Sequence, residues 1–203
     1  MSTPADDPAR RTLLKTAAAG LAASLAGSAL AQSARAAAAP PLAASPGRPL
    51  PAPGQPGEFD FLAGEWRIRH RRLKSAASGA WDEFDGEATC WTILDGVGSV
   101  EELRIPARDF SGMGLRLLDR ETRVWSDFWV NAKSGVLGAA GLTGGFVDGA
   151  GVFTAEDTDD SKPIVVRGIW DEITPISCRW RQGVSRDGGA HWDDNWIMHW
   201  RRA

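Results

Sequence analysis

From Glu58 onward the chain alternates apolar and polar residues with a period of two, the repeat of a half-buried strand. Runs rich in β-branched and aromatic residues occupy positions 65–73, 82–94, 99–105, 112–118, 123–130, 151–155, 164–170, 177–184 and 195–201. Turn clusters such as Asp95-Gly96, Asp148-Gly149 and Asp187-Gly188-Gly189 separate them. No window sustains the 3.6-residue apolar repeat of an amphipathic helix. Strands at short spacing without intervening helices predict an all-β domain, an antiparallel barrel or sandwich of eight to ten strands. One helical turn is expected at Phe59-Asp60-Phe61-Leu62, ahead of the first strand.

The same alternation assigns faces. In the last run Trp196, Met198, Trp200 and Arg202 share one side, expected to face inward, while Asn195, Ile197, His199 and Arg201 share the other. Trp66, Ile68 and His70 form an inner set in the first run, with Arg67, Arg69 and Arg71 in solvent. Cys178, Trp180 and Gln182 oppose Arg179 and Arg181, and Ile164, Val166, Gly168 and Trp170 form a further apolar face. Trp125, Asp127 and Trp129 alternate with residues that are equally apolar, which leaves that run's orientation open. Ile68, His70, Trp129, Trp170, Trp180, Trp196 and Met198 are therefore the expected lining of any interior ligand site.

Composition divides the chain before the first strand. Ala9-Arg10-Arg11-Thr12-Leu13-Leu14-Lys15 matches the twin-arginine export pattern. An uncharged Ala-, Gly- and Leu-rich stretch and the small-x-small sites Ala29-Leu30-Ala31 and Ala34-Arg35-Ala36 follow it. Residues 1–36 are thus expected to be a twin-arginine signal peptide, handed to the twin-arginine export machinery and cleaved. The product is then periplasmic or secreted. That stretch is too short and too weakly apolar for a stable membrane anchor. Residues 37–57, rich in Pro, Ala, Gly and Ser, read as a disordered linker. The folded domain is expected over residues 58–203.

Charge and residue counts exclude several chemistries. A formal charge of -3 gives no basic footprint for nucleic acid. Two cysteines cannot build a thiolate cage, and export would permit a Cys90–Cys178 disulfide as readily as two buried thiols. His70, His191 and His199 lack metal-ligand spacing, so no metal site is assigned. Only His70 has an inward position, where it is a core histidine, a haem ligand or a general base. The acidic pairs Glu101-Glu102 and Glu156-Asp157 read as solvated strand residues, with Glu102 or Asp157 the candidates for a polar group at a barrel mouth. No catalytic residue and no cofactor are assigned. Ser185-Arg186-Asp187-Gly188-Gly189-Ala190-His191-Trp192 fits the Asp-box pattern, read here as a hairpin clip.

A helical turn followed by Gly64-Glu65-Trp66 is similar to the opening motif of lipocalin and calycin barrels. Residues 70–73, 95–98, 119–125, 147–153, 162–164 and 185–196 resemble, in order, the DUF1579-like lipocalin-related family of unknown function. The resemblance implies a calycin-like β-barrel. It also implies that Trp66 lies across a closed end under a cationic side chain from the last strand, for which the faces nominate Arg202. Ten Trp without a single Tyr then line or fill that barrel. The favoured function is binding of a small hydrophobic or aromatic ligand. The alternatives are an isomerase- or cyclase-like enzyme using His70, and a filled barrel with a structural or interaction role. A homodimer is the expected assembly if Trp lies on an exposed sheet face.

Overall fold

The computed structural model describes residues 53–75, 78–138 and 141–203. The expected signal peptide and residues 37–52 of the expected linker lie outside them. Ten strands follow in order: β1 (Gly64–Leu73), β2 (Trp81–Ile93), β3 (Gly98–Ile105), β4 (Phe110–Asp119), β5 (Val124–Asn131), β6 (Leu142–Val147), β7 (Ala150–Asp159), β8 (Lys162–Asp171), β9 (Ser177–Ser185) and β10 (Asp193–Arg202). Each pairs antiparallel with the next, and β10 returns to β1, which closes the sheet and removes its edges. The chain thus forms an all-β, up-and-down barrel of calycin-like architecture. The sequence pattern omits β6, whose Gly144-Gly145 pair interrupts its apolar alternation.

Inward and outward residues separate as alternation requires. Trp66, Ile68, His70, Trp196, Met198 and Trp200 are buried, whereas Arg67, Arg69, His199 and Arg201 are exposed. The open question at β5 is settled by Trp125, which is fully buried in the core and carries Asp127 and Trp129 inward with it. Large rings fit inside because glycines face them. A Cβ at Gly112 would collide with the Trp129 indole, and one at Gly86 would sit 2.5 Å from His70 Nε2. The outer face carries ion-pair ladders, Arg69 with Glu83 and Asp85, Arg104 with Glu87 and Glu102, and Arg179 and Arg181 with Asp171. Apolar inside and charged outside is the reverse of a lipid-facing barrel.

One end is closed by the chain's own N-terminal segment. The short 3-10 turn Asp60–Leu62 places Leu62 in the core, and Trp66 Nε1 donates to Leu62 O at 2.7 Å. The Arg202 guanidinium lies 4.0 Å from the Trp66 ring centroid and donates to Ala63 O and Phe61 O, as the opening motif implies. The docked segment starts earlier than expected. Gly54 N donates to Arg123 O, Arg123 Nε donates back to Gly54 O, and Trp125 Nε1 donates to Glu58 Oε2. Residues 54–57 therefore belong to the barrel rather than to the linker, because Gly54 is small enough to lie against Leu118 and Trp125.

The Asp-box is the hairpin clip expected of it. Asp187 Oδ1 accepts from the His191 backbone N–H at 2.9 Å and from Ser185 Oγ at 2.8 Å, and Trp192 Nε1 donates to Gly189 O. The backbone donor and the His191 ring hold the Asp187 carboxyl well below the usual carboxylate range. One seam of the barrel is short. The rungs between β5 and β6 are confined to Trp125–Gly144, Ser126–Thr143 and Asp127–Leu142. On its other edge β5 stays laddered to β4 as far as Asn131.

Candidate functional site

Three neighbouring strands each send one charged side chain into the barrel. Glu101 comes from the middle of β3, Arg116 from β4 and Asp127 from β5. Register brings them together, since Ser99 faces Arg116 across the β3–β4 ladder and Arg116 faces Asp127 across the β4–β5 ladder. Arg116 Nη2 donates to Glu101 Oε2 at 2.5 Å, and Arg116 Nε lies 3.4 Å from Asp127 Oδ1. Gly114 makes room for the first contact, because a Cβ there would lie 2.9 Å from Arg116 Nη2 and 3.1 Å from Glu101 Oε2.

The surroundings are aromatic. The guanidinium lies 5.1 Å from the Trp170 ring centroid and 5.6 Å from that of Phe59, which stands edge-on to Trp125 and Phe146. Side-chain exposure is 4% for Arg116 and 3% for Glu101, but 16% for Asp127 although it faces inward. Burial works against the Arg116 charge; the Glu101 and Asp127 charges outweigh it and hold the guanidinium above the usual arginine range. Asp127 goes the other way. Burial pushes its carboxyl up to about 6, with Arg116 opposing and the Glu101 charge adding to the rise.

Donor accounting is incomplete in this group. Among the described residues, the buried Arg116 Nε and Nη1 and Trp170 Nε1 have no hydrogen-bond acceptor. Folded proteins rarely leave such donors unserved, because the desolvation cost of each is then unrecovered.

The expected lining residues do meet in one interior. Ile68, Trp170, Trp196 and Met198 belong to the main core cluster, and Trp129 and Trp180 pack against it. Trp180 stands edge-on to Trp196 at 5.9 Å. His70 is fully buried, stacked on Phe84 at 4.7 Å, with Nδ1 accepting from Trp196 Nε1 at 3.2 Å and Nε2 abutting Gly86. Above it, Arg72 lies over Trp196 and Arg108 over Phe84, and burial, with Arg108 nearby, lowers the Arg72 guanidinium to about 10.

The acidic pairs are distributed differently from the sequence reading. Glu101, not Glu102, is the inward member; Glu102 is exposed and accepts from Arg104. Sequence leaves Arg116 and Asp127 unassigned, because an arginine flanked by Leu115 and Leu117, or an aspartate alternating with Trp125 and Trp129 in a run apolar on both faces, gives no sign of its direction when one strand is read alone. The legible signal was their complementarity, an acid, a base and an acid in matching phase on three consecutive strands. Cys90 and Cys178 also face inward as buried free thiols, and burial pushes both up, Cys178 to about 12. No set of three or more His, Cys, Asp or Glu among the described residues could hold a metal ion. No helix among them is long and apolar enough to cross a membrane.

Fold and interior together define a closed ten-strand antiparallel β-barrel with an ion group set among aromatic rings. No protein-family model matches the chain, and no curated protein matches it. Among solved structures it is similar to a protein of unknown function of the DUF3598 family from Nostoc punctiforme, at 12% identity and a TM-score of 0.40. That match covers 77% of this chain and 50% of the other, so the chain spans about half the length of that neighbour.

Proposed function

We propose that the barrel binds a small, largely aromatic molecule in its interior. The observation that carries this reading is the Glu101–Arg116–Asp127 group, charged and set inside the barrel wall, with Asp127 keeping 16% of its side chain accessible. A barrel filled only for stability gains nothing from it, since buried ion pairs are usually matched or bettered by apolar residues of equal volume. Polar groups placed among aromatic walls are the usual makeup of a small-molecule site. Trp129, Trp170 and Trp180 supply ring surface, and the ion group supplies orientation. The isomerase- or cyclase-like alternative has no comparable support, because His70 is sealed between Phe84, Trp196 and Gly86.

The twin-arginine pattern supports export of the folded domain, and the ordered series of motifs supports kinship with the DUF1579-like family. Native mass spectrometry of the protein purified from its own host, with tryptophan emission measured against aromatic compounds, tests the binding reading. A co-purified organic mass and a saturable emission change are expected. An unliganded mass together with unchanged emission across such compounds would refute it.

A further inference from the structure

The ion group also restricts which molecules fit, an inference that rests on the binding reading above. Arg116 is a single cation already facing two carboxylates, Glu101 at 2.5 Å and Asp127 at 3.4 Å. A carboxylate or phosphate on the ligand would set a third anion against that one guanidinium in a low-dielectric interior, which is unfavourable. A purely cationic ligand would leave the Arg116 Nη1 and Trp170 Nε1 donors without an acceptor. A plain hydrocarbon would do the same. Asp127, in turn, is engaged among the described residues only through its longer contact with Arg116, and part of its side-chain surface remains accessible. Arg116 Nε, itself without a hydrogen-bond acceptor, lies 3.4 Å from Asp127 Oδ1, so the pair presents a donor beside an acceptor, with the Trp170 and Phe59 rings alongside.

We infer that the ligand is an uncharged aromatic or heteroaromatic molecule carrying a hydrogen-bond acceptor next to a donor, as in a lactam or a hydroxy ketone. The ligand's acceptor takes an Arg116 N–H left without an acceptor, and its N–H or O–H donates to Asp127. The rings stack on tryptophan faces, where neutral aromatic surface is best accommodated. Discrimination comes from the polar pair, because a site with buried polar groups rejects a ligand that leaves them unpaired.

Three bicyclic probes of nearly equal size separate the possibilities: carbostyril (a lactam), naphthalene and naphthoate, each titrated at neutral pH into the full chain with tryptophan emission as readout. Carbostyril is expected to bind at least about tenfold more tightly than naphthalene, and naphthoate more weakly than either. Asp127→Leu should abolish the carbostyril preference while naphthalene binding persists. If that variant does not fold, the ranking by the unaltered chain decides. Naphthoate as the tightest probe, or carbostyril no better than naphthalene, overturns the inference and leaves interior binding standing. Silence from all three overturns the binding reading and the inference with it.

Discussion

Glu101 and Arg116 are each other's principal reason for tolerating burial. Removing one charge leaves the other uncompensated, so Glu101→Gln is expected to cost roughly 3–5 kcal/mol in chemical denaturation. Gly114→Ala should destabilise by the same route, because its methyl would enter the space between the paired groups. Asp127 behaves oppositely. Its carboxyl is raised by burial to about 6 in the folded chain, whereas an unfolded aspartate titrates near 4. Its stabilising contribution is therefore complete below about pH 4 and lost as the pH rises through 6. Asp127→Asn keeps an uncharged side chain, so its stability relative to the parent should improve between about pH 4 and 7, by at most roughly 3 kcal/mol. Urea midpoints of both proteins across that range check it. A constant difference would mean that the carboxylate is far better solvated than its surroundings imply. None of this was visible one residue at a time, because a lone Arg or Asp in a strand carries no sign of which face it occupies.

Strands were more legible than residues. Alternation placed both terminal strands in the right phase because Trp66, Ile68 and His70, and then Trp196, Met198 and Trp200, contrast sharply with the arginines between them. β6 failed the same test, since Gly144-Gly145 removes two side chains from a six-residue strand. The β1–β10 closure also makes a specific claim about two adjacent arginines. Arg202 caps the Trp66 ring and donates to two carbonyls of the N-terminal turn, while Arg201 is exposed on the opposite face. Arg202→Ala should therefore lower stability by about 2 kcal/mol, and Arg201→Ala by less than about 0.5 kcal/mol. Equal thermal midpoint shifts for the two would contradict the register of this closure.

At the scale of the molecule, the two thiols report on the integrity of the wall. Cys90 and Cys178 are buried and held protonated by that burial, so neither should react with iodoacetamide in the native barrel and both should react in denaturant. Modification of either one under native conditions, read by intact mass, would show that the closed end breathes.

The short seam between β5 and β6 has a consequence for timing. Its last rung, Asp127–Leu142, lies at the ion group, and beyond it β5 is laddered only to β4 among the described residues. Opening a wall there breaks three rungs, against seven or more at every other junction except β6–β7, which has five. A disulfide across the seam, made by Ser126→Cys with Thr143→Cys on the outer face, should slow capture and release of an interior molecule by a similar factor. Stopped-flow rates would change while equilibrium affinity would not. On the binding reading proposed above, residence time in this barrel would be set by how often one short zipper opens, and selectivity by the charges just behind it.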